Sequence, residues 1–251
     1  MTIDMPQKSQ IPQLRSLWQQ AFGDSDAFLD GFFATGFSEN RCMCVTWNEA
    51  VVAALYWFDC SCNGKKLAYI YAVATDETFQ GKGFCRSLME STHRHLEKAG
   101  YWGAIVVPGD RGLFDLYEKL GYQGFCPKQL REVTAGESPI AVQPLTPEAY
   151  FEKRNQQLPE GGVVQDIAAL SYLSTFAGFY EADGCIFCGS GEDVFRFQEF
   201  FGAEEKLPGI LAGLQTGLGR VPCPGDGLNS AMFIPLTDSP EMPAYFGLAM
   251  N

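Results

Sequence analysis

The most constraining feature of the chain is an apolar run that passes through a glycine-containing turn into an amphipathic segment. Leu67 to Ala74 predicts a β-strand, Gln80-Gly-Lys-Gly83 a tight loop, and Gly83 to Ala99 a helix. Glycines let the backbone approach a ligand, and the first helical turn presents unpaired N–H groups at the positive end of the helix dipole. This order of elements favours a phosphate or pyrophosphate site.

Two familiar phosphate motifs do not describe this segment. The dinucleotide fingerprint needs three glycines in the pattern GxGxxG, and a Walker loop needs Gly-Lys followed by Ser or Thr. The alternative is a strand–turn–helix whose glycines serve only the turn, and the two glycines alone do not decide between these readings.

A second motif lies farther along, where a helix from Leu113 to Leu120 ends at Gly121. Gln80-Gly-Lys-Gly-Phe-Cys85 resembles the Gln/Arg-x-x-Gly-x-Gly/Ala signature of the GNAT superfamily of N-acetyltransferases. Tyr117-Glu-Lys-Leu-Gly-Tyr122 resembles the helix end Tyr-Glu-Lys-x-Gly-Phe/Tyr of the same family. Both motifs stand in the family's order, and the resemblance covers residues 10–126.

The resemblance implies a site for acetyl-CoA, which would serve as co-substrate. Backbone groups of Val73, Ala74 and Thr75 would hydrogen-bond the pantetheine arm. Tyr117 matches the general acid that protonates the departing CoA thiolate, although a helix tyrosine packed on neighbouring leucines is the alternative. The pyrophosphate would be held by the loop formed by Gln80, Gly81, Lys82, Gly83, Phe84, Cys85 and Arg86.

The last signature position departs from the family pattern. It is Cys85, where Gly or Ala is usual, and the larger side chain bears on the affinity for CoA. The base that deprotonates the acceptor amine is also open. The candidates are Asp59 near a strand end, the more turn-like Asp76 and Glu77, His93 and His95 on a helix side expected to face solvent, and the carboxylate of Asn251.

The charge limits the partners. With 18 Lys+Arg against 30 Asp+Glu, a net charge of −12 argues against nucleic acid binding. Residues 1–126 carry a net −3 and residues 127–251 a net −9, so the second half favours a cationic amine acceptor unless the charge is merely a solvated surface. No apolar run has the length of a membrane span, and residues 1–15 lack a secretory signal pattern, so a cytoplasmic protein is expected.

The nine cysteines are an odd number and predict reduced, mostly buried thiols. Cys185 and Cys188 form a CxxC, but no second pair follows, so no metal site is predicted. A metal or redox protein built on these two thiols is retained as a rival.

The predicted fold is α/β (α+β): a mixed, mostly antiparallel GNAT-type sheet flanked by helices, followed by a smaller α/β second domain. Residues 1–135 would form the catalytic domain and residues 136–251 a degenerate GNAT-like domain without a CoA loop. Residues 127–144 predict a linker with one short strand. Beyond it, helices are expected at 147–158, 164–179 and 206–218, and strands at 184–189, 194–201, 232–236 and 244–250.

The expected activity is transfer of an acetyl group from acetyl-CoA to a primary amine by direct attack in a ternary complex. A non-catalytic acyl-CoA-binding or regulatory module is the main rival. The sequence leaves the identity of the acceptor open, and a homodimer is one option for the oligomeric state.

Overall fold

The structure, a computed structural model, describes residues 1–250 and divides into two compact units. The first unit comprises Met1–Gln123 and Met232–Met242, and the second comprises Gly124–Ala231 and the residues from Pro243 onwards. The boundary predicted from the sequence lies at 135/136, whereas contacts place residues 124–135 in the second unit and residues 232–242 in the first. The roles given to the two domains stay predictions.

A mixed, mostly antiparallel sheet forms the centre of the first unit. Its strands are β1 (Thr2–Asp4), β2 (Cys42–Trp47), β3 (Ala50–Cys62), β4 (Lys65–Thr75) and β5 (Gly103–Val106). β1 to β4 pair antiparallel in chain order, β4 pairs parallel with β5, and residues 232–235 pair antiparallel with β5. The predicted fold class is therefore confirmed.

The tight turn between β3 and β4 is formed by Asn63-Gly64, a residue pair that predicts a β-hairpin. Asn63 and Gly64 have φ of 50° and 74°, which is the geometry of a two-residue turn with both residues in the left-handed region.

Helices cover the two faces of this sheet, because successive strand residues point to opposite sides. The helices are α1 (Ile11–Phe22), α2 (Asp26–Gly31), α3 (Phe84–Lys98) and α4 (Arg111–Glu118). Leu55, Trp57 and Ile70 pack with α3 in a hydrophobic core. On the other face Tyr56 and Tyr71 pack with Trp18 of α1 and with Phe32, which opens a single π-helical turn at Phe32–Gly36.

The second unit contains seven strands and three helices among its described residues. They are β6 (Gln123–Thr134), β7 (Gln143–Leu145), α5 (Pro147–Gln157), β8 (Val164–Gln165), α6 (Ile167–Leu173), β9 (Gly178–Ala182), β10 (Cys185–Ser190), β11 (Val194–Phe201), α7 (Leu207–Gly213) and β12 (Leu218–Pro235), of which the last four residues belong to the first unit. β9, β10 and β11 pair antiparallel, and β11 pairs parallel with β12. This order of pairings repeats that of β2 to β5.

Several predicted elements were wrong in extent. The linker at 127–144 contains the long strand β6, because a partner far along the chain, β12, pairs with it. The helix at 164–179 is limited to α6, and residues 178–182 form β9. The helix at 206–218 ends at Gly213, and residues 244–250 do not form a strand.

The C-terminal segment at 244–250, which is not a strand, is held by buried polar side chains. Glu199 on β11 accepts hydrogen bonds from Arg154 Nε at 2.6 Å, from Arg154 Nη2 at 2.9 Å, and from the hydroxyls of Tyr150 and Tyr245 at 3.0 and 2.9 Å. The side chains of Arg154 and Glu199 are 1% and 0% exposed. Lys128 Nζ donates to the carbonyl of Phe246 at 2.7 Å and Gln165 Nε2 to that of Gly247 at 3.0 Å, so polar side chains hold the C-terminal segment.

No helix within residues 1–250 is long and apolar enough to cross a bilayer.

We predict that Glu199→Ala lowers the free energy of unfolding by about 3–5 kcal/mol, because it leaves the Arg154 charge buried and unpaired. Urea denaturation measures the loss. Glu181→Ala is the matched control, since the Lys153–Glu181 pair, 2.8 Å apart, has side chains that are 45% and 34% exposed. That variant should lose less than about 1 kcal/mol. Equal losses in the two variants would contradict the prediction.

Candidate active site

The site begins where β4 and β5 separate. The two strands pair in parallel through Leu67–Gly103, Ala68–Ala104 and Tyr69–Ile105, and the pairing among described residues ends there. β4 continues to Thr75, with its other edge paired to β3. Residues 70–75 of β4 are not paired with β5, so this edge of the strand can hydrogen-bond an extended ligand that carries amide groups.

An irregularity in β4 lies at this separation. The register with β3 shifts between Tyr56–Tyr71 and Ala54–Ala74, and Ala72 has a φ of 47°. A non-glycine residue in the left-handed region costs energy, and such strain often marks a functional site. The bulge re-aims the backbone of Val73, which together with Ala74 and Thr75 is the predicted pantetheine-binding segment.

The turn after β4 is closed by Asp76. Its carboxylate accepts from the backbone N–H of Thr78 at 2.9 Å and from the Thr78 hydroxyl at 2.6 Å, and these bonds lower the pKa of Asp76. Gln80 Nε2 donates to the carbonyl of Thr75 at 3.2 Å. The loop is thus tied to the end of the strand that precedes it.

The glycines of the loop leave open space around the start of α3. Gly81 and Gly83 have φ of 71° and 83°, and no atom lies within 4 Å of where a Cβ would stand on either. The first i to i−4 bond of the helix runs from Ser87 N–H to the carbonyl of Gly83 at 3.0 Å, so the N–H groups of residues 84–86 precede the ladder. This geometry suits an anion such as a pyrophosphate.

The two basic side chains of the loop are exposed and lightly held. Lys82 Nζ donates to the carbonyl of Thr78 at 2.6 Å. Arg86 Nη1 lies 3.7 Å from a carboxylate oxygen of Glu90 on the next turn of α3. Both side chains can turn toward an anion at little cost, because exposed ion pairs contribute little stability.

Tyr117, the predicted general acid, lies on α4 and is 6% exposed. Burial, with a smaller effect from nearby Cys85, raises the pKa of its phenol. Within residues 1–250 no hydrogen bond reaches its hydroxyl. The structure therefore places the predicted acid near Cys85, which is half-buried in the first turn of α3.

The candidate bases lie in different parts of the chain. Asp59 accepts a hydrogen bond from Tyr101 and pairs with Ala68, near the β3–β4 turn, and its role as a base stays a prediction. Asp76 and Glu77 belong to the turn, as expected. Asn251 lies outside the described residues.

The helix histidines are not on a solvated side, which corrects the sequence-based expectation. His93 Nε2 lies 2.8 Å from the hydroxyl of Tyr122, and burial lowers its pKa from 6.5 to about 4. The His95 ring stands 6.0 Å from that of Trp57. Both side chains are half-buried.

The cysteines form no site among the described residues. All nine are free, and seven are buried. Cys185 packs with Phe187 in one core, whereas Cys188 Sγ approaches the Gln198 side chain, since strand residues three apart point to opposite faces. No cluster of three or more His, Cys, Asp or Glu able to hold a metal occurs within residues 1–250. The rival built on this CxxC has no structural support.

Sequence reasoning missed two groups of residues near the site. One is Tyr122, which joins His93 to Tyr117 and which a tyrosine directly after a helix end could have signalled. The other is the aromatic cluster on the opposite face of the sheet, where Tyr71 precedes the bulge and meets α1 and the π-helical turn.

Comparisons with known proteins agree with this geometry. Residues 2–125 match the family described as the acetyltransferase (GNAT) domain. The structure resembles GCN5-related N-acetyltransferases from Kribbella flavida (14% identity, TM-score 0.72, 92% of this chain and 70% of that one) and Anabaena variabilis (16%, 0.72, 94% and 73%). It also resembles Eis1 from Mycobacterium abscessus (11%, 0.70, 94% and 74%). A search of curated protein sequences finds no significant match.

Residues 2–125 therefore form a GNAT acetyltransferase domain. The structural neighbours share its fold, and both predicted motifs lie within the matched residues.

We predict that lowering the pH from about 7.5 to about 5 destabilises the wild-type protein by about 2 kcal/mol more than His93→Gln. The pKa of His93 in the folded state is lowered to about 4. Between pH 6.5 and 4 the unfolded chain therefore binds a proton at this residue that the folded chain does not bind. Urea denaturation at both pH values measures the difference. His95→Gln is the control on the same helix, and a difference as large for that variant would contradict the assignment.

Proposed function

We propose that the first unit transfers an acetyl group from acetyl-CoA to a primary amine. The observation that carries the proposal is the open start of α3, with Gly81 and Gly83 clear of other atoms, next to the unpaired edge of β4. The family membership of residues 2–125 supports acyl transfer as the reaction class.

Each part of the site has a role in this reaction. N–H groups of the loop from Gln80 to Arg86 hold the pyrophosphate, and backbone groups of Val73, Ala74 and Thr75 hold the pantetheine amides. A strand N–H at the bulge stabilises negative charge on the thioester oxygen while the amine attacks. Holding both reactants in one ternary complex supplies the gain from proximity. Tyr117 donates its proton to the departing thiolate.

The acceptor in this proposal is cationic. The chain carries a net charge of −12, and an acidic surface attracts ammonium groups before they reach the site. With the pKa of Asp76 lowered, its carboxylate stays ionised and suits the attraction of a cation better than the removal of a proton.

The second unit serves as a degenerate GNAT-like half in the same proposal. Its β11 and β12 also pair through three residue pairs, Val194–Leu218 to Arg196–Arg220. At the register position that corresponds to Ala72 stands Glu199, which binds Arg154 and two tyrosines. Glu204 and Glu205 precede α7, and a Cβ on Gly202 would meet Cys185 at 2.5 Å. Acidic residues and filled space both oppose a pyrophosphate there.

We predict that acetyl-CoA at one hundred times its Kd stabilises the protein by about 2.7 kcal/mol. Gly83→Ala should abolish this shift, because its methyl group would enter the space kept for the pyrophosphate. Gly100→Ala is the control, since Gly100 has a φ of 78° and equally open surroundings at the far end of α3. Thermal denaturation with and without ligand is the measurement. No shift in the wild-type protein would contradict the proposed cofactor site.

We predict that Tyr117→Phe lowers kcat by about a hundredfold, the usual contribution of a general acid, and leaves the KM for acetyl-CoA unchanged. The assay follows free CoA with a panel of polyamines, aminosugars and peptide amines. Leu113→Met on the same helix is the control. Turnover that survives Tyr117→Phe would remove this residue from the mechanism, and a protein that binds acetyl-CoA without turnover would be the non-catalytic rival.

A further inference from the structure

A line of titratable side chains runs from the loop into the first unit. The rings of Tyr117 and Tyr122 meet edge to face, with centroids 5.5 Å apart and an interplanar angle of 65°. The Tyr122 hydroxyl lies 2.8 Å from His93 Nε2. Tyr122 is 2% exposed, and burial, with smaller effects from Tyr117 and Cys85, raises the pKa of its phenol. The line therefore reads Cys85, Tyr117, Tyr122, His93.

The local backbone explains why these residues meet. Gly121, with a φ of 94°, ends the turn after α4, and the N–H of Tyr122 donates to the carbonyl of Tyr117 at 3.0 Å. That bond folds the second phenol against the first. On α3, residues four apart share a face, so Cys85 and His93 lie along one side of the helix.

Filling a core with a tyrosine whose hydroxyl hydrogen-bonds an imidazole costs free energy, because both polar groups are removed from water. Phenylalanine would supply the same ring without a polar group to satisfy, and leucine would replace the histidine. Burial also disfavours the anion that Tyr117 must become when it acts as an acid. A Tyr122 ring that is itself held by the His93 hydrogen bond can keep the Tyr117 phenol oriented for proton transfer.

We infer that Tyr122 and His93 are positioning residues for Tyr117: the hydrogen bond between His93 Nε2 and the Tyr122 hydroxyl fixes the Tyr122 ring, whose edge-to-face contact holds the Tyr117 ring in place for proton transfer. The inference rests on the proposed function and deepens it. His93 is neutral in this arrangement, with the proton on Nε2. The other groups near the line are Arg94 on α3 and the Cys85 thiol.

In the acyl-transfer step, the carbon–sulfur bond of the thioester breaks and its electron pair stays on sulfur. The sulfur takes the proton of Tyr117. The new bond is the amide bond to the acceptor nitrogen. Tyr117 is left as a phenolate. The proton released by the acceptor amine enters water, and Tyr117 recovers a proton from water before the next turnover.

The first test is a double-mutant cycle on kcat. Tyr122→Phe should lower kcat about tenfold with the KM for acetyl-CoA unchanged, because only the proton transfer is impaired. In the Tyr117→Phe background the same change should have no further effect, since its partner is gone. Additive losses, or an unchanged kcat in Tyr122→Phe, would overturn the inference. Absence of turnover in the wild-type protein would instead overturn the proposed function on which it rests.

The second test separates donation from packing. His93→Gln keeps an N–H donor and should retain kcat within about twofold, whereas His93→Leu should fall about as far as Tyr122→Phe. His95→Leu is the control for loss of an imidazole from α3. The stabilisation by acetyl-CoA should be the same in every variant, which shows that the loop is intact. Equal losses in His93→Gln and His93→Leu would assign His93 a packing role only.

Discussion

The separation of β4 from β5 is the constraint on which the rest of the site depends. A parallel pair satisfies the backbone of both strands, and here it lasts for three residue pairs. The strand that continues, β4, is held on its other side by β3, so it stays extended while one edge is free. Buried backbone groups seek partners, which makes such an edge a binding surface for amides. The bulge at Ala72 lies at this edge.

The second unit shows what the same arrangement becomes when side chains fill it. There the strand pairing also lasts for three residue pairs, but Glu199, Arg154 and two tyrosines form a closed network beyond it. A buried ion pair contributes little net stability unless its remaining hydrogen-bonding capacity is satisfied, and here each carboxylate oxygen accepts two bonds. One topology thus carries an open edge in the first unit and an internal polar core in the second.

Local signals predicted the parts of the fold that depend on neighbouring residues. The Asn63-Gly64 turn, the glycine loop and the end of α4 follow from the conformational freedom of glycine and from the periodicity of apolar residues. The length of β6 was underestimated because a polar strand with glycine and proline nearby is stabilised by pairing with β12, a partner distant in sequence. Residues 244–250 show the opposite error, since apolar composition indicated a strand where Lys128 and Gln165 hold an irregular segment.

The sequence alone determined the family resemblance, the loop from Gln80 to Arg86 and the candidate acid Tyr117, because these depend on residue types at fixed local spacing. The tertiary structure decided which polar side chains lie together. It placed Asp59 near the β3–β4 turn as the partner of Tyr101, and it brought His93 and Tyr122 to Tyr117. The physical reason is that a side chain's pKa and partners are set by burial and by elements distant in sequence, whereas a turn is set by its own few residues.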